Sequence, residues 1–189
     1  MEGRGRLIAI DGVCGRAVAA EAIRALKTAG RTRGGISRWD ASGLFEQLTA
    51  ADEEAGAPSA RTLLLLYAAD LAFRLRWEIE PALAEGKTVV AAQYIDTAIA
   101  FGRAAGLSGR WLANLFQFAR TPQVQCGVSA RPASRAKPNG FVEFASVRLS
   151  GRVLGLTKQQ LIARTRQHLS FAADRSKRRA ASRYVETDR

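Results

Sequence analysis

The sequence predicts a three-layer α/β fold, a five-stranded parallel sheet with helices on both faces. Two observations carry that prediction. Short apolar runs alternate with longer stretches of helical periodicity along the chain, the order expected of repeated strand–helix units. The first apolar run, Leu7-Ile8-Ala9-Ile10, ends in a glycine turn and is followed at once by a helix-forming stretch. That is the layout of a strand feeding a phosphate-binding turn.

Each element has its own signal. The first strand is Leu7 to Ile10, and Ala17 to Thr28 is an Ala-rich helix with Gly30 as its stop. A weak second strand centres on Gly35-Ile36-Ser37, and Ser42 to Ala50 makes a short amphipathic helix. Arg61 to Ala84 is the longest helical pattern, with Leu64, Tyr67, Leu71, Leu75 and Ile79 near one face. Pro81 is expected to bend or fray its end. Thr88 to Ala92 is a third strand, almost wholly apolar, as a strand covered on both faces should be. Ile95 to Ala104 and Arg110 to Ala119 read as helices, Val124 to Val128 as a fourth strand, and Thr157 to Ala172 as the last clear helix. Arg183 to Thr187 is the fifth strand. No linker divides the chain, so residues 1–189 read as one domain. The segment 129–152 is less regular. Its alternating run Phe141-Val142-Glu143-Phe144-Ala145-Ser146-Val147 reads as an extra strand or hairpin, or as a remodelled lid.

Composition narrows the class. The chain is 47% apolar and 24% charged, which fits a globular protein with a real core and not a disordered one. No apolar run approaches the roughly 18 residues that cross a bilayer, and no membrane association is expected. The apolar stretch behind the basic start is too short for a signal peptide, so the chain reads as cytoplasmic. The two cysteines, Cys14 and Cys126, lack metal-ligand spacing and read as unpaired thiols. The net charge of +12 fits an anionic ligand or a nucleic-acid surface. The arginines are scattered, though, and no aromatic residues interleave with the densest run, Arg175-Ser176-Lys177-Arg178-Arg179. Solvated charge is therefore preferred over dedicated nucleic-acid binding.

Three blocks of sequence resemble the thymidylate kinase family over nearly the whole chain. The first is the turn Asp11-Gly12-Val13-Cys14-Gly15-Arg16-Ala17-Val18-Ala19-Ala20, where the family reads close to E-G-x-D-G-x-G-K-S-T. The second is Thr62-Leu63-Leu64-Leu65-Leu66-Tyr67-Ala68-Ala69-Asp70-Leu71, similar to T-E-L-L-L-F-A-A-D-R. The third runs from Pro81 through Gly86, Val89, Val90, Gln93, Tyr94, Asp96 and Thr97 to Phe101, similar to P-A-L-x-x-G-x-x-V-I-C-D-R-Y-x-D-S-S-x-A-Y. The resemblance implies a P-loop NTPase-type fold and a helix-mediated homodimer. It also implies roles for several residues. Arg38 matches the arginine that meets the acceptor phosphate, Tyr67 an aromatic that stacks on thymine, and Phe101 another that lines that pocket. Asp11 takes the place of an acidic residue at the strand end, and Tyr94, Asp96 and Thr97 stay in register with D-R-Y-x-D-S. Gly12 and Gly15 retain part of an anion nest.

The departures fall on the chemistry. Ala17 replaces the second glycine of the loop, Val18 its lysine and Ala19 its metal-holding hydroxyl; Cys14 replaces a carboxylate. Gln93 replaces an arginine that contacts phosphate, and Leu71 one beside the acceptor. Phosphoryl transfer rests on positioning and charge stabilisation, so these losses predict a degenerate P-loop with no catalytic residue and no metal site. ATP and Mg²⁺ are expected only if activity survives, through substitutes such as Arg16, Arg131 or Arg135. The expectation is a pseudokinase that associates with a second copy or a related kinase, and a nucleotide remains a candidate ligand. Each surviving residue also has a structural reading: Tyr67 and Phe101 as core, Asp11 as a backbone anchor, Arg38 as a surface cap.

Overall fold

Side chains along the first strand, β1 (Arg6–Gly12), alternate between two separate apolar clusters. Leu7 and Ala9 join one, Ile8 and Ile10 the other. β3 (Thr88–Ala92) repeats the pattern, Val89 and Ala91 against Val90 and Ala92. Strands buried on both faces form the middle of a three-layer sandwich, and period-two alternation is what delivers residues to both layers. A computed structural model describes residues 5–30, 33–50, 57–132, 139–149 and 154–169. Within them β2 (Arg33–Arg38) and β4 (Val124–Val128) complete a four-stranded sheet in the order β2-β3-β1-β4. All three strand pairings are parallel. The predicted fifth strand, 183–187, lies outside the described residues.

One outer layer is α1 (Gly15–Thr28), which sets Val18 and Ala22 against Ile8, Ile10, Val90 and Ala92. The other is built on α3 (Ala60–Arg74) and α5 (Ile95–Ala104), which bury Leu63, Leu64, Tyr67, Ala98 and Phe101 on the opposite face. Each large apolar side chain taken out of water this way contributes roughly 1.5–3 kcal/mol. Ser59 caps α3 by accepting the Thr62 N–H at 3.0 Å. The long helical pattern does bend ahead of Pro81. A π turn over Leu75–Ile79 separates α3 from α4 (Glu80–Ala84), and the Glu80 N–H reaches back to the Leu75 carbonyl. Proline has no N–H to continue the ladder, so the register changes just before it. α2 (Leu44–Ala50) matches its predicted position, α6 (Gly109–Leu115) stops four residues short of the predicted Ala119, and α8 occupies 158–169.

One expectation is corrected. The run Phe141 to Val147 is neither a strand nor a hairpin; it lies in a helix, α7 (Phe141–Arg148). Six of its residues in succession, Phe141 to Ser146, are buried. A helix covered on nearly every side shows no 3.6-residue pattern, so its sequence passes for alternation. Among the described residues, no helix is long and apolar enough to cross a membrane.

Candidate functional site at the carboxyl ends of β1 and β3

In an open parallel sheet the crevice beyond the strand ends is where ligands sit. Here β1 ends at Gly12 and α1 begins at Gly15, so only Val13 and Cys14 form the turn. Because the helix starts that early, Val18 already faces the sheet, with 2% of its surface exposed. The Val18 N–H donates within the helix to the Cys14 carbonyl at 3.0 Å. Ala19 and Ala20 follow it along the helix, and Arg16 and Ala20 are exposed. Arg16 is not among the residues lining the crevice.

Asp11 closes the end of β1 onto the start of α5. Its Oδ1 accepts the Tyr94 N–H at 2.9 Å, the Thr97 N–H at 3.0 Å and the Thr97 hydroxyl at 2.6 Å. Thr97 Oγ1 in turn accepts the Gly12 N–H at 3.1 Å. Burial pushes the Asp11 carboxyl up to about 6; repulsion from Asp96 adds to it, and the three hydrogen bonds pull against it. Burial raises Asp96 as well. Asp11 and Thr97 thus tie the end of β1 to the start of α5; Asp11 does bond backbone, but that of Tyr94 and Thr97 and not the local backbone of its own strand end.

Gln93 stands where the family pattern carries arginine, and it fastens two segments. Its Nε2 donates to the Gly12 carbonyl at 2.6 Å, and its Oε1 accepts the Phe141 N–H at 2.8 Å. Glu143, two residues further along α7, reaches the start of α1. Its Oε2 accepts the Gly15 N–H at 3.0 Å and the Asn139 N–H at 3.3 Å. A carboxylate of the chain therefore lies at the amino end of α1, where unpaired N–H groups and the helix dipole favour negative charge. The approach is close: a Cβ on Gly15 would stand 1.9 Å from the Asn139 carbonyl oxygen.

Tyr67 and Phe101 are both wholly buried, and they do flank a common space, but Phe141 occupies it. The Phe141 ring centroid is 4.6 Å from that of Tyr67 and 5.1 Å from that of Phe101. Phe45 and Trp39 close the other sides at 5.8 and 6.4 Å. The Tyr67 hydroxyl donates to the Tyr94 carbonyl and the Tyr94 hydroxyl to the Arg120 carbonyl, each at 2.7 Å. Behind them lies a buried ion pair with Arg74 Nε 2.9 Å from Asp70 Oδ2. Asp70 also accepts the Asp40 and Ser42 N–H groups and so holds the loop after β2. That loop leaves Arg38 exposed at the rim of a cleft of about 140 Å³, which Gly15, Ala19, Trp39, Gln93 and Asn139 also line.

The sequence named Asp11, Gly12, Gly15, Tyr67, Tyr94, Thr97 and Phe101, and the fold does bring them together. It leaves Arg16 outside, and Arg135 lies outside the described residues. Phe141, Glu143 and Arg74 were missed. The i,i+4 spacing of Asp70 and Arg74 inside an apolar helix was a readable sign of a buried pair. A lone glutamate in the apolar run of α7 was a readable sign of a satisfied buried acid.

These features do not suit a magnesium-bound triphosphate. The first turn of α1 offers no lysine and no hydroxyl, and the Gly15 N–H already has an anionic partner.

The strand order, the βα turn and the crevice define an α/β protein of the P-loop kinase type. No protein-family model matches the chain. Over 60 residues, 32% of the chain, the sequence is 40% identical to a probable thymidylate kinase of Pyrococcus abyssi, and one from Thermococcus gammatolerans matches at the same identity and coverage. The matched stretch spans 29% of either relative's length, less than a third. The fold is similar to the crystal structure of thymidylate kinase from Ehrlichia chaffeensis, with a TM-score of 0.64, covering 90% of this chain and 87% of that one at 16% identity. The chain is thus similar to thymidylate kinases in sequence over that stretch and in fold over most of its length.

Proposed function

We propose that the chain is a catalytically silent relative of thymidylate kinase that acts by association, with a second copy or with an active kinase of the family. The observation that carries this reading is at the start of α1. The residue in the lysine position, Val18, is packed into the core, and the nearby Gly15 N–H is held by the chain's own Glu143. Removing a point charge and a metal-site hydroxyl from a phosphoryl-transfer site takes away most of the electrostatic stabilisation such chemistry depends on. Arg16 does not make up the loss, because it is exposed and does not line the cleft. Leu65, Phe73 and Trp77, exposed at four- and eight-residue spacing along α3 and the π turn, support an association face. A coupled ADP-release assay with thymidylate and MgATP tests the reading. The expected outcome is no turnover above background, and turnover within tenfold of an ordinary thymidylate kinase overturns it.

A further inference from the structure

We propose that α7 is an autoinhibitory plug, a built-in occupant of the crevice in which Glu143 takes the anion position at the start of α1 and Phe141 takes the aromatic position between Tyr67 and Phe101. Four independent contacts support it. Glu143, 6% exposed, accepts the Gly15 N–H from 128 residues away. Gln93 clips the first N–H of α7 to the same turn through its other amide end. The Asn139 backbone closes so tightly on Gly15 that no side chain fits there. Phe141, wholly buried, makes ring contacts with Tyr67, Phe101, Phe45 and Trp39. A negative group on helix amides and a flat ring in an aromatic cage are the two halves of nucleotide recognition, here supplied from one turn of one helix.

The plug makes the crevice a guarded anion site. The backbone donor and the Arg38 guanidinium at the rim are both present, and what excludes an outside anion is the carboxylate already there. Removing that carboxylate should therefore create affinity where the unmodified chain has little. A gain of function of this kind is not produced by a merely structural glutamate, whose loss would only weaken the fold.

The test is calorimetric titration with inorganic pyrophosphate at low salt. Glu143→Ala should bind it at least tenfold more tightly than the unmodified chain, the gain should shrink as salt rises, and adding Arg38→Ala should abolish it. Glu143→Gln, which keeps the shape without the charge, should show the same direction with a smaller gain and serves if the alanine variant does not fold. Wild-type affinity in a folded variant overturns the plug, as does a gain that survives loss of Arg38 undiminished. If neither variant folds, hydrogen exchange of residues 141–148 in the unmodified chain decides. Protection that falls with millimolar pyrophosphate supports displacement of α7, and unchanged protection overturns it. The inference deepens the silent-kinase reading, and the two fail separately. Turnover by the unmodified chain defeats that reading alone, whereas absence of an anion gain defeats the plug alone.

Discussion

Asp11 is held by three donors and is still harder to ionise than an ordinary aspartate, because its burial outweighs them. That balance has a pH signature. Its carboxyl titrates near 6 in the folded chain and near 3.8 when unfolded. Between those values the unfolded state releases its proton first, so the stability this group contributes is greatest below about pH 4. It declines as pH rises towards 6 and is level above that. Asp11→Asn keeps an acceptor for the Tyr94 and Thr97 amides and removes the titration. Urea unfolding at pH 4.5 and 7.5 should show the unmodified chain losing on the order of 1–3 kcal/mol more than the variant over that interval. Asp96, raised in the same direction, leaves a residual slope in both. At this scale the sequence singled out Asp11 and Thr97 separately, through register with a known pattern, and did not foresee that they bond each other. For Glu143 it offered a sign of a satisfied buried acid but not the partner, which is 128 positions away.

The pairing of α1 with α7 sets two effects against each other at Gly15. Alanine in a helix is favoured over glycine by about 1 kcal/mol, so Gly15→Ala would stabilise an isolated α1. The added Cβ would nevertheless fall 1.9 Å from the Asn139 carbonyl oxygen, a backbone atom that cannot turn aside. Overpacking of that kind costs about 1–3 kcal/mol and wins. Gly15→Ala should lower the unfolding midpoint and raise hydrogen exchange in residues 141–148, with α1 itself still protected. Among the elements, the central strands were legible as short apolar runs and the amphipathic helices because one face of each differs from the other. α7 was not, since Phe141, Val142, Glu143, Phe144, Ala145 and Ser146 are all buried and leave no stripe to detect. The π turn was foreshadowed by Pro81, although the register change falls two residues ahead of the proline.

As a whole the molecule separates two tasks. The sheet and its two apolar clusters supply the frame, and α7 packs over the ends of β1 and β3. The frame was readable from short apolar runs, β1 and β3 among them, alternating with stretches of helical periodicity. The filling was not, because it depends on contacts between segments far apart in the chain. The same scale carries the association proposal. Leu65, Phe73 and Trp77 are 51%, 39% and 66% exposed, too much apolar surface on one helical face to ignore. Sedimentation should show the unmodified chain associating as concentration rises and Trp77→Glu remaining monomeric; identical behaviour of the two would remove this face from the proposal. The bifunctional amide at Gln93 has one more consequence. An arginine has five donors and no acceptor, so putting back the family's residue would release the Phe141 N–H while the aromatic ring stayed lodged in its cage. That one exchange would thus untie the end of β3 from α7 without emptying the crevice.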